Sequence, residues 1–325
     1  MEYTRLGKSG LKVSRICLGM MTYGSSEWRP WILDKATCDQ HVKLALELGI
    51  NFFDTANMYS LGVSEEHTGA ALKKFAQRDK VVLATKVYAP MSDDPNAHGL
   101  SRKHIMDQVD ASLKRLGTDY IDLYQIHRWD YTSPIEETLE ALHDVVKAGK
   151  VRYVGASSMY AWQFCQTLYL ADLNNWTRFI SMQNHYNLVY REEEREMIPL
   201  CQDQGVSLLP WSPLARGLIT GSRTKDATSS SRSKTDDLAL KFYQQPSDFE
   251  VADSVAKVAE QKGVTRAQVG LAWLLKNPTV AAPIIGATKT KYIEDAVGAL
   301  EVRLSDEEVQ ELEAAYQLHP IIGHT

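Results

Sequence analysis

The sequence predicts an α/β protein, a (β/α)8 TIM barrel with an N-terminal β-hairpin and a long loop insertion before the eighth strand, all in one domain over residues 1–325. Three observations carry this. Short apolar runs alternate with amphipathic stretches along the whole chain. The G-x-G-x-x-G fingerprint expected of a doubly wound, nucleotide-binding sheet occurs nowhere. Three early apolar runs end in ionisable residues: N-F-F-D at Asp54, V-V-L-A-T-K at Lys86 and I-D-L-Y-Q-I-H at His127.

In chain order, residues 3–6 and 11–14 flank a turn at 7–10, which reads as a hairpin; its G-K-S lacks the earlier glycine of a phosphate-binding loop. R-I-C-L-G-M-M-T-Y-G then supplies the first parallel strand, with Thr22, Tyr23 and Trp28 on its loop. Helix 36–48 carries Ala36, Val42, Ala45, Leu46 and Leu48 and stops at Gly49. Strand two ends at Asp54, with Tyr59 on the loop beyond it. Helix 64–76, strand 81–86, helix 101–116, strand 121–126, helix 134–148 and strand 151–156 follow. Ser101 caps one of these helices. Ser133-Pro134-Ile135-Glu136 predicts an N-cap serine, a proline at the first helical position and a capping-box glutamate for the next.

Helix 160–173, strand 179–183, helix 191–204 and strand 206–210 bring the alternation to seven. Residues 212–246 break it with a Ser/Thr-rich run too polar to pack, the kind of long loop that is functional or disordered. Helices at 248–262 and 266–276, a strand at 281–286 and a helix at about 290–300 complete the eighth unit. Ser305-Asp306-Glu307-Glu308 opens a last helix bearing Val309, Leu312 and Tyr316.

Composition narrows the function. A hydrophobic share of 44% with 24% charged residues is that of a globular domain. The net charge of −5 argues against nucleic acid or an anionic membrane as partner and favours a small molecule. Cys17, Cys38, Cys165 and Cys201 form no C-x-x-C pair, which fits a reducing compartment and offers no zinc site. Without an apolar leader or a membrane-length apolar run, the expectation is a cytoplasmic protein, and Asn175-Trp176-Thr177 is a chance sequon. No feature marks a self-complementary surface, so the oligomeric state is left open.

Catalytic groups of a barrel lie at the C-terminal ends of its strands, so Asp54, Tyr59, Lys86 and His127 are expected to converge. Taken singly, each has a structural reading as loop cap, packing phenol, solvated lysine or core histidine. Together they form a working set. An ammonium beside a phenol favours phenolate and eases release of the proton; a carboxylate keeps a buried ammonium charged; a histidine donates to a carbonyl oxygen as negative charge develops there. The missing part is a nucleophile, which a nicotinamide hydride supplies.

Several segments resemble the aldo-keto reductase superfamily, in the branch of bacterial and fungal reductases and aryl-alcohol dehydrogenase-like enzymes: L-G-x-S-G-L-x-V-S, N-F-F-D-T-A-N-M-Y, A-T-K, D-Y-I-D-L-Y-Q-I-H, A-G-K-V-R-Y-V-G-A-S-S, S-M-Q-N-H-Y-N-L, W-S-P-L-A-R-G and I-I-G-A-T-K. The resemblance implies a catalytic tetrad of Asp54, Tyr59, Lys86 and His127, with Tyr59 the proton donor. It implies NADP(H) as cofactor, with Thr22, Tyr23 and Asp54 near its reactive end, Ser157, Ser158 and Gln183 on the carboxamide, and Trp211 stacked on the ring. Ser212, Leu214, Arg216, Gly217 and Gly221 would line the pyrophosphate in a lid-like loop. Gly286, Thr288, Lys289, Tyr292 and Asp295 would meet the adenosine end. Tyr292, Ala296 and Ser158 depart from the glutamine, asparagine and asparagine common in the family.

Tyr23, Trp28, Tyr88, Trp129 and Tyr131 are expected to form an aromatic mouth for flat or apolar carbonyl substrates, and Arg128 adds an anion contact. Two competing readings remain. One is an NADP(H)-binding regulatory subunit like the potassium-channel β subunits, which share this architecture; the other is a redox-neutral conversion of a sugar phosphate.

Overall fold

The computed structural model describes residues 1–223 and 241–324; residues 224–240, in the middle of the expected insertion, lie outside the described part. An antiparallel hairpin opens the chain, β1 (Tyr3–Arg5) against β2 (Lys12–Ser14). The barrel strands are β3 (Cys17–Gly19), β4 (Phe52–Asp54), β5 (Val82–Val87), β6 (Ile121–Ile126), β7 (Val151–Ser157), β8 (Phe179–Gln183), β9 (Ser207–Leu208) and β10 (Ile284–Ile285). Between and after them run α1 (Lys35–Glu47), α2 (Val63–Phe75), α3 (Arg102–Leu116), α4 (Ile135–Lys147), α5 (Ala161–Leu173), α6 (Met197–Gln204), α7 (Pro246–Lys262), α8 (Arg266–Lys276), α9 (Thr290–Gly298) and α10 (Asp306–Glu313).

The eight barrel strands form one parallel sheet in the order β10-β3-β4-β5-β6-β7-β8-β9. The two ends meet: Leu208 N donates to Thr279 O (2.8 Å), Ala281 N to Leu208 O (3.0 Å) and Ile284 N to Pro210 O (2.9 Å). The Arg15 guanidinium pins this seam, donating to the carbonyls of Val280, Ala281 and Leu275. β9 and β10 are shorter than the expected 206–210 and 281–286 because Pro210 and Pro283 have no N–H to give the ladder. The hairpin closes the floor. Leu6 and Val13 are fully buried against Cys17, Phe52, Val82, Ala84 and Leu123 inside the barrel, and Gly7 N donates to Ser207 Oγ at 2.7 Å.

Sheet register decides which residues face inward. Asp54 pairs with Ala84, Ala84 with Leu123 and Lys86 with Gln125. Paired residues share a face, and so do residues two apart along a strand. Asp54, Lys86, Gln125 and the strand-end His127 therefore all point into the barrel at its C-terminal rim. Gly155 pairs with Gln125, and a Cβ there would lie 2.5 Å from Ser181 Oγ and 3.1 Å from Gln125 Cγ, so the missing side chain leaves room for the glutamine.

Three local expectations are corrected. Ser133 does not cap α4; its hydroxyl donates to Asp130 Oδ2 at 2.7 Å, Pro134 takes the N-cap position, and no capping box with Glu136 forms. The helix expected over 191–204 splits into a short turn at Glu192–Glu194 and α6, because Pro199 removes an N–H and its ring would clash with the Arg195 carbonyl of a continuous helix. Tyr316 lies beyond the end of α10 and donates to Glu192 Oε1 (2.6 Å). The Ser305 capping box is present.

Candidate active site

At the rim, the polar groups of the strand ends are matched almost atom for atom. Lys86 is wholly buried, and its ammonium donates to Asp54 Oδ1, to Thr55 O (2.8 Å) and to Tyr59 Oη (3.5 Å), using all three protons. Asp54 Oδ2 accepts from Gln125 Nε2 (2.8 Å) and Gln183 Nε2 (3.0 Å). Burial opposes the Lys86 charge, but the Asp54 carboxylate and Tyr59 beside it outweigh burial and hold its pKa above the ordinary lysine value. A buried ion pair survives only with such hydrogen bonding on both partners.

Tyr59 leaves α2's approach with its ring edge-on to His127, centroids 5.7 Å apart, and tilted against Trp28 at 6.2 Å. Burial first, then the Arg128 and Lys86 charges, push the His127 pKa well below its usual value, so the imidazole is neutral at ordinary pH. Its Nδ1 is buried without a hydrogen-bond partner. Arg128 donates through Nη1 to the His127 carbonyl (2.6 Å) and sits 5.9 Å from the centre of the Trp211 ring.

These groups open onto a cleft of about 1480 Å³. Near the tetrad its wall includes Thr22, Trp28, Asp54, Tyr59, His127, Arg128 and Gln183. Farther along come Trp211, Ser212, Leu214, Arg216 and Gly217, then Gly286, Thr288, Lys289, Tyr292 and Asp295. The expected residues are thus brought into one continuous groove, with exceptions. Lys86 lies just beneath it, behind Tyr59, and Ser157 and Ser158 are fully buried and not on its wall. Gly221 is off the wall, and a Cβ on it would meet Arg266 Nη1 at 2.7 Å.

Tyr23 is the clearest departure. The strand ends at Gly19 and a tight turn over Met20–Thr22 swings its ring into the core, where the hydroxyl lies 2.9 Å from His41 Nδ1, away from the cleft. Trp129 is packed inward and faces Trp162 (6.4 Å). Tyr88 is half-buried off the wall, its phenol pushed up by burial and Asp130. Tyr131 is exposed and donates to His324 O at 3.2 Å. Only Trp28 of the expected aromatic mouth lines the groove.

The polar groups expected to hold a carboxamide are partly committed to one another. Ser157 Oγ donates to Gln183 O (2.8 Å), Ser158 N to the same carbonyl (3.1 Å), and Trp211 Nε1 to Ser158 Oγ (3.0 Å). Behind Trp211 stands a stack that sequence reading missed: His185 lies parallel to Trp211 at 4.2 Å and to Tyr190 at 4.2 Å, its Nε2 2.5 Å from Tyr243 Oη. Burial drives His185 to its neutral form. Gln125 was also missed, hidden inside an apolar strand run, as were Ile321, Ile322 and Gly323, which join the cleft wall without any periodic signal.

The loop after β9 is strained. Ser212 (φ +51°), Ala215 (φ +47°) and Arg216 (φ +52°) are left-handed without being glycine, as is Ser158 (φ +45°) beside them. Such residues gather at ligand sites. Gly217 (φ +101°) could not be otherwise, since a Cβ would lie 2.3 Å from Ser222 Oγ. Among the described residues six cations, Arg29, Arg128, Arg216, Lys241, Arg266 and Lys289, line the groove against two acids, Asp54 and Asp295, in a chain of net charge −5. That excess suits a polyanionic cofactor, and the unpartnered His127 Nδ1 suits a polar group brought in beside the tetrad. Among the described residues no group of acids, histidines and cysteines could hold a metal, and no helix is long and apolar enough to cross a membrane.

The sequence profile of the Aldo/keto reductase family matches residues 15–317. The chain is 46% identical to versiconal hemiacetal acetate reductase of Aspergillus parasiticus, over 98% of this chain and 99% of that protein. It is 44% identical to aldo-keto reductase dtxS3 of Metarhizium robertsii (100% and 93% covered) and 44% identical to putative aryl-alcohol dehydrogenase C977.14c of Schizosaccharomyces pombe (99% and 97%).

Proposed function

This chain belongs to the aldo/keto reductase family, and we propose that it is an NADP(H)-dependent reductase of aldehydes or ketones in which Tyr59 gives the proton to the carbonyl oxygen. The observation that carries the proposal is the placement of the Lys86 ammonium, held by Asp54 and Thr55 and reaching Tyr59 Oη at 3.5 Å, beside a neutral His127.

When bound, the reduced nicotinamide supplies the hydride. The protein's part is to receive the developing oxyanion. Tyr59 Oη donates to the substrate oxygen and then releases its proton to it, and the Lys86 ammonium stabilises the phenolate left behind. Lys86 keeps its charge through this step because Asp54 cannot move: Gln125 and Gln183 hold its second oxygen. His127, neutral, orients the carbonyl without competing as an acid. Ser157, Ser158, Gln183 and Trp211 would hold the nicotinamide, the loop over Ser212–Gly217 its pyrophosphate, and Thr288 and Lys289 the 2′-phosphate that distinguishes NADPH from NADH. The name of the aryl-alcohol dehydrogenase relative, with Trp28 on the wall beside Tyr59, supports aromatic carbonyl compounds as substrates.

Tyr59→Phe is expected to cut kcat for aldehyde reduction by about 10²- to 10⁴-fold while NADPH binding, read by its fluorescence, is retained. Reduction at the wild-type rate would assign the acid elsewhere. Lys289→Glu is expected to erode the preference for NADPH over NADH, and an unchanged ratio would remove Lys289 from the cofactor assignment.

A further inference from the structure

We infer that Arg128 is a specificity-determining residue that receives a carboxylate on the substrate, so that the preferred substrates are aromatic carbonyl compounds bearing a carboxylate. The inference rests on the reductase reading above and names its substrate class.

Four other arginines that are largely withdrawn from water have matched partners. Arg78 faces Asp122 (2.7 Å), Arg115 faces Glu65 (2.6 Å), Arg191 faces Glu194 and Glu313 (2.8 and 3.0 Å), and Arg15 is spread over three carbonyls. Arg128 differs. Among the described residues no carboxylate lies within 4.0 Å of it, and its one hydrogen bond, to the His127 carbonyl, uses one of a guanidinium's five N–H donors. The nearby tetrad carboxylate is not available, because Asp54 is committed to Lys86, Gln125 and Gln183. Burial works to lower the Arg128 pKa, and among the described residues the phenols of Tyr59 and Tyr88 oppose it.

Arg128 is half-buried on the cleft wall; a guanidinium partly withdrawn from water with no anion beside it favours one, and its planar fork matches a carboxylate bidentately. Arg128 lies on the cleft wall, follows His127 in sequence and stands against the face of Trp211. A ring seated against Trp28, which stands 6.2 Å from the Tyr59 ring, would bring a carbonyl to Tyr59 and leave a ring carboxylate free to meet Arg128 on the same wall. Arg29, the other cation at this end, is instead stacked on Trp28 at 4.9 Å.

The test uses a near-isosteric pair, 4-formylbenzoate and 4-formylbenzamide, with NADPH at physiological ionic strength, in wild type, Arg128→Met and Arg128→Lys. The quantity read is the ratio of kcat/KM for the anion over the amide within each protein, which cancels any effect of the substitution on the tetrad. In wild type the ratio is expected at about 10 to 100, in Arg128→Met near one, and in Arg128→Lys between them. A wild-type ratio near one, a ratio that survives Arg128→Met, or a rise in KM for NADPH with the ratio unchanged would overturn the inference. If wild type reduces neither aldehyde, the reductase reading fails, and titration calorimetry of 4-formylbenzoate into the NADP⁺-loaded protein decides the anion site separately. There, binding that Arg128→Met weakens about tenfold or more supports it; absence of binding, or binding indifferent to the substitution, rejects it.

Discussion

On one side of the cleft, Asp54, Lys86 and Gln125 leave regular parallel strands and reach each other because register alone aims them inward. On the other, Ser158, Ser212, Ala215 and Arg216 reach their places only by adopting left-handed backbone that costs each of them about 1 kcal/mol or more. The strand wall stores its cost in a buried charge pair and recovers it through hydrogen bonds. The loop wall stores its cost in torsion angles and recovers it through the stack of Trp211, His185 and Tyr190. The first is rigid by chemistry, the second by packing, so different substitutions should break them.

The largest effect is expected on the strand wall. Lys86→Met strands the Asp54 carboxylate and Asp54→Asn strands the Lys86 ammonium, each costing about 3–5 kcal/mol of stability, measurable by urea unfolding. The double variant should cost less than the sum of the two, and strict additivity would show that the pair is not coupled.

Acid comes next and strikes both walls. His127 and His185 are held neutral in the folded protein, whereas in the unfolded chain they titrate near about 6.5. Their folded values being depressed, stability is full above that pH and falls as pH drops toward the folded values, with a slope approaching about 1.4 kcal/mol per pH unit for each. Comparing urea midpoints at neutral and mildly acid pH should show the loss, and His185→Phe, which keeps a stacking ring, should lower the slope by up to about 1.4 kcal/mol per pH unit. An unchanged slope would place the acid sensitivity elsewhere.

On the loop wall, Gly217→Ala forces a side chain into positive φ against Ser222 and should cost about 1–3 kcal/mol. Ser212→Gly does the reverse: it relieves the strain and should stabilise by up to about 1 kcal/mol, with thermal denaturation as the readout. Destabilisation by Ser212→Gly would mean that the serine hydroxyl contributes more than its torsion costs.

The strand wall was legible in the sequence because each of its residues ends an apolar run, and strand ends in a barrel converge. Gln125 escaped notice for the opposite reason: a polar residue one place before the end of I-D-L-Y-Q-I looks like an ordinary break in hydrophobicity until register sets it opposite Lys86. The loop wall was legible only through resemblance to a family, since no periodicity announces a left-handed serine or a three-ring stack. Tyr23 was misplaced because loop membership was read as exposure, whereas the tight turn at Met20–Thr22 sends the ring toward His41. Ser133 and residues 191–204 went astray at single atoms: a hydroxyl with a better acceptor in Asp130, and a missing amide hydrogen at Pro199.

The seam between β3 and β10 has a consequence for biosynthesis. Cys17 and Leu18 leave the ribosome hundreds of residues ahead of Ile284 and Ile285, the neighbours they finally pair with. At typical elongation rates that interval is about 15 to 50 s. Throughout it the nascent sheet carries a bare margin able to recruit a stray strand. Guarding that margin, by the ribosome surface or a chaperone, is a demand this topology makes on the cell before any carbonyl is reduced.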